Sequence, residues 1–355
     1  MKNPQVKIVG AGLLGTSLGL ALARQSVTAT LEDQSKANLR LAIEYGAGVE
    51  SGPEPDLVIV CVPPDLTADV VIAQLQKHPH AIVTDVASVK SKIASEVSAA
   101  LPTHSHRYIG SHPMAGREKG GPSAARADLF FARPWVITAS EQSSAAAIDL
   151  IRDIALRLGA LPVELSALEH DQAVALVSHL PQLVASLLAN RLNLGSAEQL
   201  GLAGQGLRDT SRIAASDPQL WVQIVSQNSH AIAPLLTQLK ADLDHLSESV
   251  ANIDKSGSLA QIHGILQGGN SGVARIPGKH GGKGNNFQVV TVVIEDAPGA
   301  LASLLTFIGE IGVNLEDLNL EHSPGAPIGL VELQVLPEVA ERLSEQLTTN
   351  GWRLV

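Results

Sequence analysis

One cysteine, Cys61, in 355 residues rules out an internal disulfide and a multi-thiolate metal site. It sits in Leu57-Val58-Ile59-Val60-Cys61-Val62, where it reads as a small buried hydrophobe. A basic surplus is also missing. The formal net charge of −10 argues against nucleic acid or an anionic membrane as partner, because both need a basic face. No long polar low-complexity tract occurs, and 45% hydrophobic with 17% charged residues is a globular composition. No stretch reads as a bilayer span. The apolar run of residues 8–23 follows Lys2 and Lys7 as a secretory leader would. Glycines break it at regular spacing and no small-residue cleavage site follows, so the expected location is the cytoplasm. The length exceeds one ordinary core, and two or three domains are expected.

What is present starts with glycine in a strand–turn–helix context. Strand-like Gln5-Val6-Lys7-Ile8-Val9 runs into Gly10-Ala11-Gly12-Leu13-Leu14-Gly15, and a helical pattern covers residues 16–24. Gly10 allows the tight turn, Gly12 lets the backbone approach a pyrophosphate, and Gly15 lets helix pack on strand. The N–H groups at the start of the helix, with Leu13 and Leu14, then face the phosphates. A second strand over residues 27–31 ends at Glu32-Asp33, about twenty residues on, where Asp33 is placed to hold a ribose 2′-hydroxyl. Acids at this point favour NAD over NADP. Further apolar strands over 56–62 and 81–85 end in Val62-Pro63-Pro64 and Val86-Ala87-Ser88, at the edge where ligands of a parallel sheet gather. Ser88 there is either a group on the cofactor rim or an N-cap for the helix that follows. Strands over 134–138 and 161–164, with a helix over 145–158 between them, complete a Rossmann-type parallel-sheet domain of residues 1–164.

Gly110-Ser111-His112-Pro113-Met114-Ala115-Gly116-Arg117-Glu118-Lys119-Gly120-Gly121 follows a short strand over 107–109 and reads as an open loop. It delivers His112, which can take and return a proton near neutral pH, to the cofactor edge. Residues 165–267 are expected to form an all-helical substrate and dimerisation domain, with long helices over 170–194 and 218–250, the second capped by Asp217-Pro218. Helices this apolar are expected to bury themselves partly against a second copy, giving a homodimer. His179, in Ser178-His179-Leu180-Pro181-Gln182, is either a satisfied core histidine or a ligand for substrate, and Pro181 should bend its helix. Asp209 and Arg212, three apart on a short helix, are either a surface pair or an orienter and a carboxylate-binding fork. Residues 268–285 read as a Gly-rich linker whose cations are either solvated or folded over an anionic substrate. Residues 286–355 read as a small α+β domain of βαββαβ order, with a turn at Asp296-Ala297-Pro298-Gly299 and a strand over 313–320.

Five motifs occur in one order: the glycine loop of residues 10–15, Asp85-Val86-Ala87-Ser88-Val89-Lys90, Gly110-Ser111-His112-Pro113-Met114-Ala115-Gly116, Ser178-His179-Leu180-Pro181, and Asp209-Thr210-Ser211-Arg212 with Trp221. In this the chain resembles the prephenate and arogenate dehydrogenases of tyrosine biosynthesis over nearly its whole length. The resemblance implies an NAD-dependent oxidative decarboxylation that needs no metal. In it His112 accepts the hydroxyl proton, Ser88 hydrogen-bonds near it, Arg212 binds a substrate carboxylate, and Asp209 orients Arg212. Glu118 matches an acid at the pocket entrance. Many prephenate-using members carry a second histidine where Gln182 stands here, and a small polar residue where Arg117 stands. These departures leave arogenate as an alternative to prephenate, and the added cation favours the more anionic prephenate. The last domain resembles an ACT module, which implies an amino-acid effector, tyrosine being the natural one, near Asp296, Gly299 and Asn314. A more distant alternative is a non-catalytic sensor of NAD and amino acid.

Overall fold

The structure, a computed structural model, describes residues 3–116, 120–277, 287–322 and 327–355. Arg117 and Glu118, and all of the expected linker beyond residue 277, lie outside the described residues. The chain divides into two compact units, Met1–Ser196 with Asp209–Leu239, and Ala197–Arg208 with Lys240–Val355.

Three strands of the first unit, β1 (Val6–Val9), β3 (Leu57–Val60) and β4 (Ile82–Asp85), carry apolar side chains on both faces, as strands covered from both sides do. With β2 (Thr30–Glu32), β5 (Tyr108–Pro113), β6 (Pro134–Thr138) and β7 (Leu161–Glu164) they form one sheet of order β2-β1-β3-β4-β5-β6-β7. Helices α1 (Leu13–Arg24), α2 (Lys36–Glu44), α3 (Pro64–Lys77), α4 (Ser91–Ala100) and α5 (Ala145–Arg157) connect the strands. Two apolar cores result. One joins Leu18 and Leu22 of α1 to Ile151 and Ile154 of α5, the other joins Val71 and Leu75 of α3 to Ile93 and Val97 of α4. The sheet is not wholly parallel as expected, because β6 runs antiparallel to β5. Beyond β4 the edge of β5 has no parallel neighbour, and β6 pairs there instead, matching Ser111 to Ile137 and His112 to Val136. His112 therefore sits in a strand, not in the expected open loop.

The glycine loop explains its own composition. Gly10 has φ +103°, and a Cβ there would lie 2.4 Å from the Cys61 carbonyl oxygen. A Cβ on Gly15 would lie 1.8 Å from the Gly10 carbonyl oxygen, so α1 packs on the turn by contact that no side chain permits. Cys61 itself is only partly buried, its Sγ 3.9 Å from the Ile59 carbonyl oxygen.

After β7 the chain is helical. α6 (Ala167–Val174) starts with a reciprocal capping box between Ser166 and Glu169. A π-helical turn, Ala175–His179, leads without a break into α7 (Leu180–Arg191). Pro181 lacks the N–H an α-helix would use, and the wider turn lies directly ahead of it, so the helix continues through the proline. The continuous Ala167–Leu194 helix, with a window mean hydropathy of 1.4, is long and apolar enough to cross a membrane by length and composition, contrary to the sequence reading. His170, Asp171 and His179, all buried within it, find their partners in the same unit. Short helices α8 (Ala197–Leu200) and α9 (Gln205–Ser211) precede α10 (Pro218–Gln227), whose Asp217 cap accepts from the Gln219 N–H at 2.9 Å. The single helix expected over 218–250 is interrupted at Asn228, and α11 (Ser229–Ala251) follows.

In the second unit, α12 (Ser258–Val273) runs through the first six residues of the expected linker, so glycine composition alone misplaced the linker's start. β8 (Gln288–Glu295), α13 (Ala300–Glu310), β9 (Asp317–His322), β10 (Ile328–Val335), α14 (Pro337–Thr349) and β11 (Arg353–Leu354) give the expected βαββαβ order. Their four antiparallel strands lie in the order β11-β8-β10-β9. Alternate residues Val290, Val292, Ile294, Val331, Leu333 and Val335 meet Leu304, Ile308, Leu343 and Leu347 in one core. Asn314 does not open a strand as expected. It lies three residues before β9 and donates from Nδ2 to Glu316 at 3.0 Å.

Gly15→Ala is expected to lower stability by about 1–3 kcal/mol through overpacking, whereas Gly12→Ala, with open space around its Cβ, should leave it nearly unchanged. Urea midpoints check the pair, and equal midpoints would mean that α1 does not bear on the turn.

Candidate active site

Two strand ends bring the candidate groups to one edge. β4 and β5 run parallel to the register Asp85↔Gly110, and just past it lie Ser88, in the bend after β4, and His112, in β5. Ser111 fixes the spacing by donating to the Asp85 carbonyl at 2.8 Å, and Thr84 donates to Ser111 at 3.1 Å. Ser88 is not the N-cap of α4. That position is Lys90, and the cap comes from elsewhere in the chain.

The cap is Asp171. Its two carboxylate oxygens accept from the backbone N–H groups of Lys90 and Ser91, both at 2.8 Å, and Oδ1 also meets His170 Nδ1 at 2.9 Å. His170 Nε2 in turn lies 2.8 Å from His112 Nδ1. His170 and Asp171 are fully buried, while His112 keeps part of its surface open. Burial raises the Asp171 pKa, but hydrogen bonds from His170, Ser91 and Lys90 more than offset this and hold it below the usual carboxylate range. Burial pushes His112 well below the ordinary histidine value, and the neighbouring His170, Lys90 and His179 add to this against the pull of Asp171. His112 is thus a neutral imidazole at neutral pH.

Beneath this chain lies a buried ion pair. Lys90 Nζ contacts Asp85 Oδ1, and both side chains are fully buried. Asp85 also accepts from the Ala87 N–H at 2.8 Å and from the Tyr108 hydroxyl at 2.7 Å. On the far side, Asn228 Nδ2 donates to the Asp171 carbonyl at 2.8 Å and lies 3.2 Å from His179 Nδ1. His179 packs edge-on against Trp221 with ring centroids 5.9 Å apart, and burial lowers its pKa to about 4. Gln182 is buried in the first turn of α7. The 3₁₀ turn Arg212–Ala214 packs on that helix, with Asp209 in the last turn of α9. Asp209 and Arg212 therefore belong to two successive short elements rather than one helix face.

The residues expected to hold a dinucleotide fit one. A Cβ on Gly12 would meet nothing within 4 Å, and the start of α1 has no side-chain cap, which leaves its N–H groups turned to an open cradle. Leu13 and Leu14 open α1, and Val62 and Pro63 follow β3 at the same edge. Asp33 sits directly after β2 and accepts from the Ala11 N–H of the glycine loop and from the Ser35 N–H, both at 2.6 Å. Glu32 is engaged elsewhere, by Lys7 at 2.7 Å and Lys77 at 3.4 Å.

The family model described as "Prephenate dehydrogenase, nucleotide-binding domain" matches residues 18–164, and "Prephenate dehydrogenase, dimerization domain" matches residues 166–264. The chain is 34% identical over 354 residues to the probable prephenate dehydrogenase NovF of Streptomyces niveus, covering 97% of this chain and 98% of that one. The chain belongs to the prephenate dehydrogenase family. Among solved structures of the family, Synechocystis arogenate dehydrogenase is 29% identical with a TM-score of 0.62, over 76% of this chain and 98% of that chain. The A. aeolicus prephenate dehydrogenase, solved with hydroxyphenyl propionate and NAD+, shares the fold at 24% identity and TM-score 0.66, over 76% and 99% of the two chains.

Of the residues named from sequence, His112 and His179 lie in one buried polar network with His170, Asp171, Lys90, Asp85 and Asn228, none of which was named as a site residue. The available signal was Glu169-His170-Asp171 at the head of an apolar helix, where two adjacent titratable side chains need partners if buried. A consequence follows for stability. His112, His170 and His179 all have folded-state pKa values below that of an unfolded histidine, about 6.5. The stability they carry is complete above that value and falls as pH drops below it, for His179 down to about 4, because the unfolded chain then binds more protons. The urea midpoint should be level above roughly pH 7 and drop steadily below it, and less steeply in His179→Gln. A level profile down to pH 5 would mean that these imidazoles are charged in the folded protein.

Proposed function

We propose that the chain oxidatively decarboxylates prephenate to 4-hydroxyphenylpyruvate with NAD, a step of tyrosine biosynthesis. The observation that carries this reading is the neutral, partly exposed His112 on the same sheet edge as an open glycine cradle, in a chain of this family. NAD bound in that cradle supplies the hydride acceptor. His112 takes the proton of the ring hydroxyl as the C–H bond electron pair departs, and the C–O bond becomes a carbonyl. The bond to the ring carboxylate then breaks, CO2 leaves, and its electron pair passes through the ring to the carbonyl oxygen, which is protonated as a phenol. Aromatisation drives the step, so the residues need only orient the substrate and hold one proton.

Ser88 is proposed to hydrogen-bond beside the reacting hydroxyl, and Arg212, oriented by Asp209, to bind a carboxylate. His179 and Gln182 are proposed to line the substrate side chain, with Arg117 and Glu118 at the entrance. Gly10, Gly12, Gly15 and Asp33 are proposed to bind NAD, and acids at the ribose favour it over NADP. The organisation proposed is a nucleotide-binding domain over 1–164, a helical substrate and dimerisation domain over 165–267, and an ACT-type domain over 286–355. Exposed Leu176, Val177, Val184, Leu187 and Leu194 support a homodimer through the helical part. The βαββαβ order and the Gly299 turn at the head of α13 support an ACT module that binds tyrosine near Asp296, Gly299 and Asn314. Gln182, in place of a second histidine, keeps arogenate as the second reading.

NADH formation from prephenate and from arogenate, followed by absorbance, separates the two. Prephenate is expected to turn over, and His112→Asn to lower kcat by about 10²–10⁴-fold with NAD binding retained. Turnover of arogenate alone would reassign the substrate, and full activity of the variant would discard His112 as the base. Millimolar tyrosine should inhibit the wild-type enzyme, and full activity in its presence would remove the regulatory role of the second unit.

A further inference from the structure

We propose that His170 and Asp171 form, with His112, a three-membered relay that fixes His112 with its proton on Nδ1 and its lone pair on Nε2. Its catalytic meaning rests on the reading of His112 as the base, but the tautomer assignment does not.

The direction of each hydrogen bond follows from its far end. Asp171 is held as a carboxylate by three donors and can only accept, so His170 Nδ1 carries a proton and donates to it. A neutral His170 then has its lone pair on Nε2, the atom 2.8 Å from His112 Nδ1. Two lone pairs cannot face each other at that distance, so His112 Nδ1 bears the proton and donates. Nε2 is left unprotonated on the partly exposed ring, which is the state a base needs. The groups facing His112 are His170, Lys90, His179 and Asp171. The first three disfavour a charge on it and the last favours one. When Nε2 takes the hydroxyl proton, the Nδ1–H bond to His170 strengthens, and a shift of that proton to His170 Nε2 places the charge between His112 and Asp171. One proton enters and one remains shared, so nothing else need leave. His170 is thus a positioning residue. It touches no substrate and acts through the ring it orients.

Without an acceptor at residue 170, the proton of His112 loses its fixed place. His170→Leu removes the partner of His112 Nδ1–H, whereas His170→Gln offers an amide oxygen to the same hydrogen. Nitrogen-15 spectra of the histidine side chains of the full-length protein distinguish protonated from bare ring nitrogens directly. Expected at pH 7.5 are a protonated Nδ1 and bare Nε2 for His112 in wild type and His170→Gln, and a mixture in His170→Leu. With prephenate and NAD, kcat should fall by about 10²-fold in His170→Leu with KM little changed, and His170→Gln should recover most of it. A wild-type His112 protonated on Nε2, or two variants equally active or equally impaired, would overturn the relay. If wild type turns over neither prephenate nor arogenate, the proposed function fails while the spectra still decide the tautomer.

Discussion

The carboxylate of Asp171 is the point on which the first unit's chemistry hangs. It comes from the first helix after the sheet and reaches back to cap α4, a helix of the sheet layer, through the N–H groups of Lys90 and Ser91. A cap of this kind contributes about 0.5–2 kcal/mol, and the positive end of the α4 dipole adds to the attraction. The same carboxylate binds His170, so the contact that locks two layers together also sets where His170 stands relative to His112. One group thus serves packing and the placement of His170, and a small displacement of α6 would be felt at His112.

Lys90 is the second junction. Its backbone N–H goes to Asp171 and its ammonium to Asp85, so one residue ties two buried carboxylates. Burying such a pair is costly, and the cost is offset only because Asp85 is also satisfied by Tyr108 and Ala87. A cation placed under His112 lowers its affinity for a proton, while Asp171 on the other side raises it. Burial is the main reason His112 stays neutral at rest, His170 and Lys90 add to it, and Asp171 is the group that favours a charge there.

Much of this architecture was legible in sequence. The glycine fingerprint and the capping Asp217 are local signals, set by backbone sterics and hydrogen bonding within a few residues, and both appear where they were expected, whereas the strands expected over 27–31 and 56–62 are shorter, Thr30–Glu32 and Leu57–Val60. What escaped was non-local. His112 looked like a loop residue because glycine and proline surround it, and only pairing with β6, twenty-four residues on, makes that stretch a strand. The linker failed for the opposite reason, since glycines at 268, 269 and 272 weaken a helix without ending it. His170 and Asp171 escaped because their partners are 58 and 80 residues away, beyond anything periodicity can read.

The division of labour between the strand-borne and helix-borne groups has a further consequence for recognition. His112, the proposed base, lies on a paired strand of the same sheet that builds the glycine cradle, so on the proposed reading hydride and proton removal are held by one rigid element. The groups proposed for the substrate's far end come from the helical segment. Among them His179 has its Nδ1 against Asn228 and a pKa near 4, so at neutral pH it presents an Nε2–H donor without charge. An uncharged donor orients a carboxylate or a ketone but does not draw one in from solvent. The attraction must therefore come from a cation, and on the proposed reading that task falls to Arg212, on the turn packed against the helix that bears Gln182.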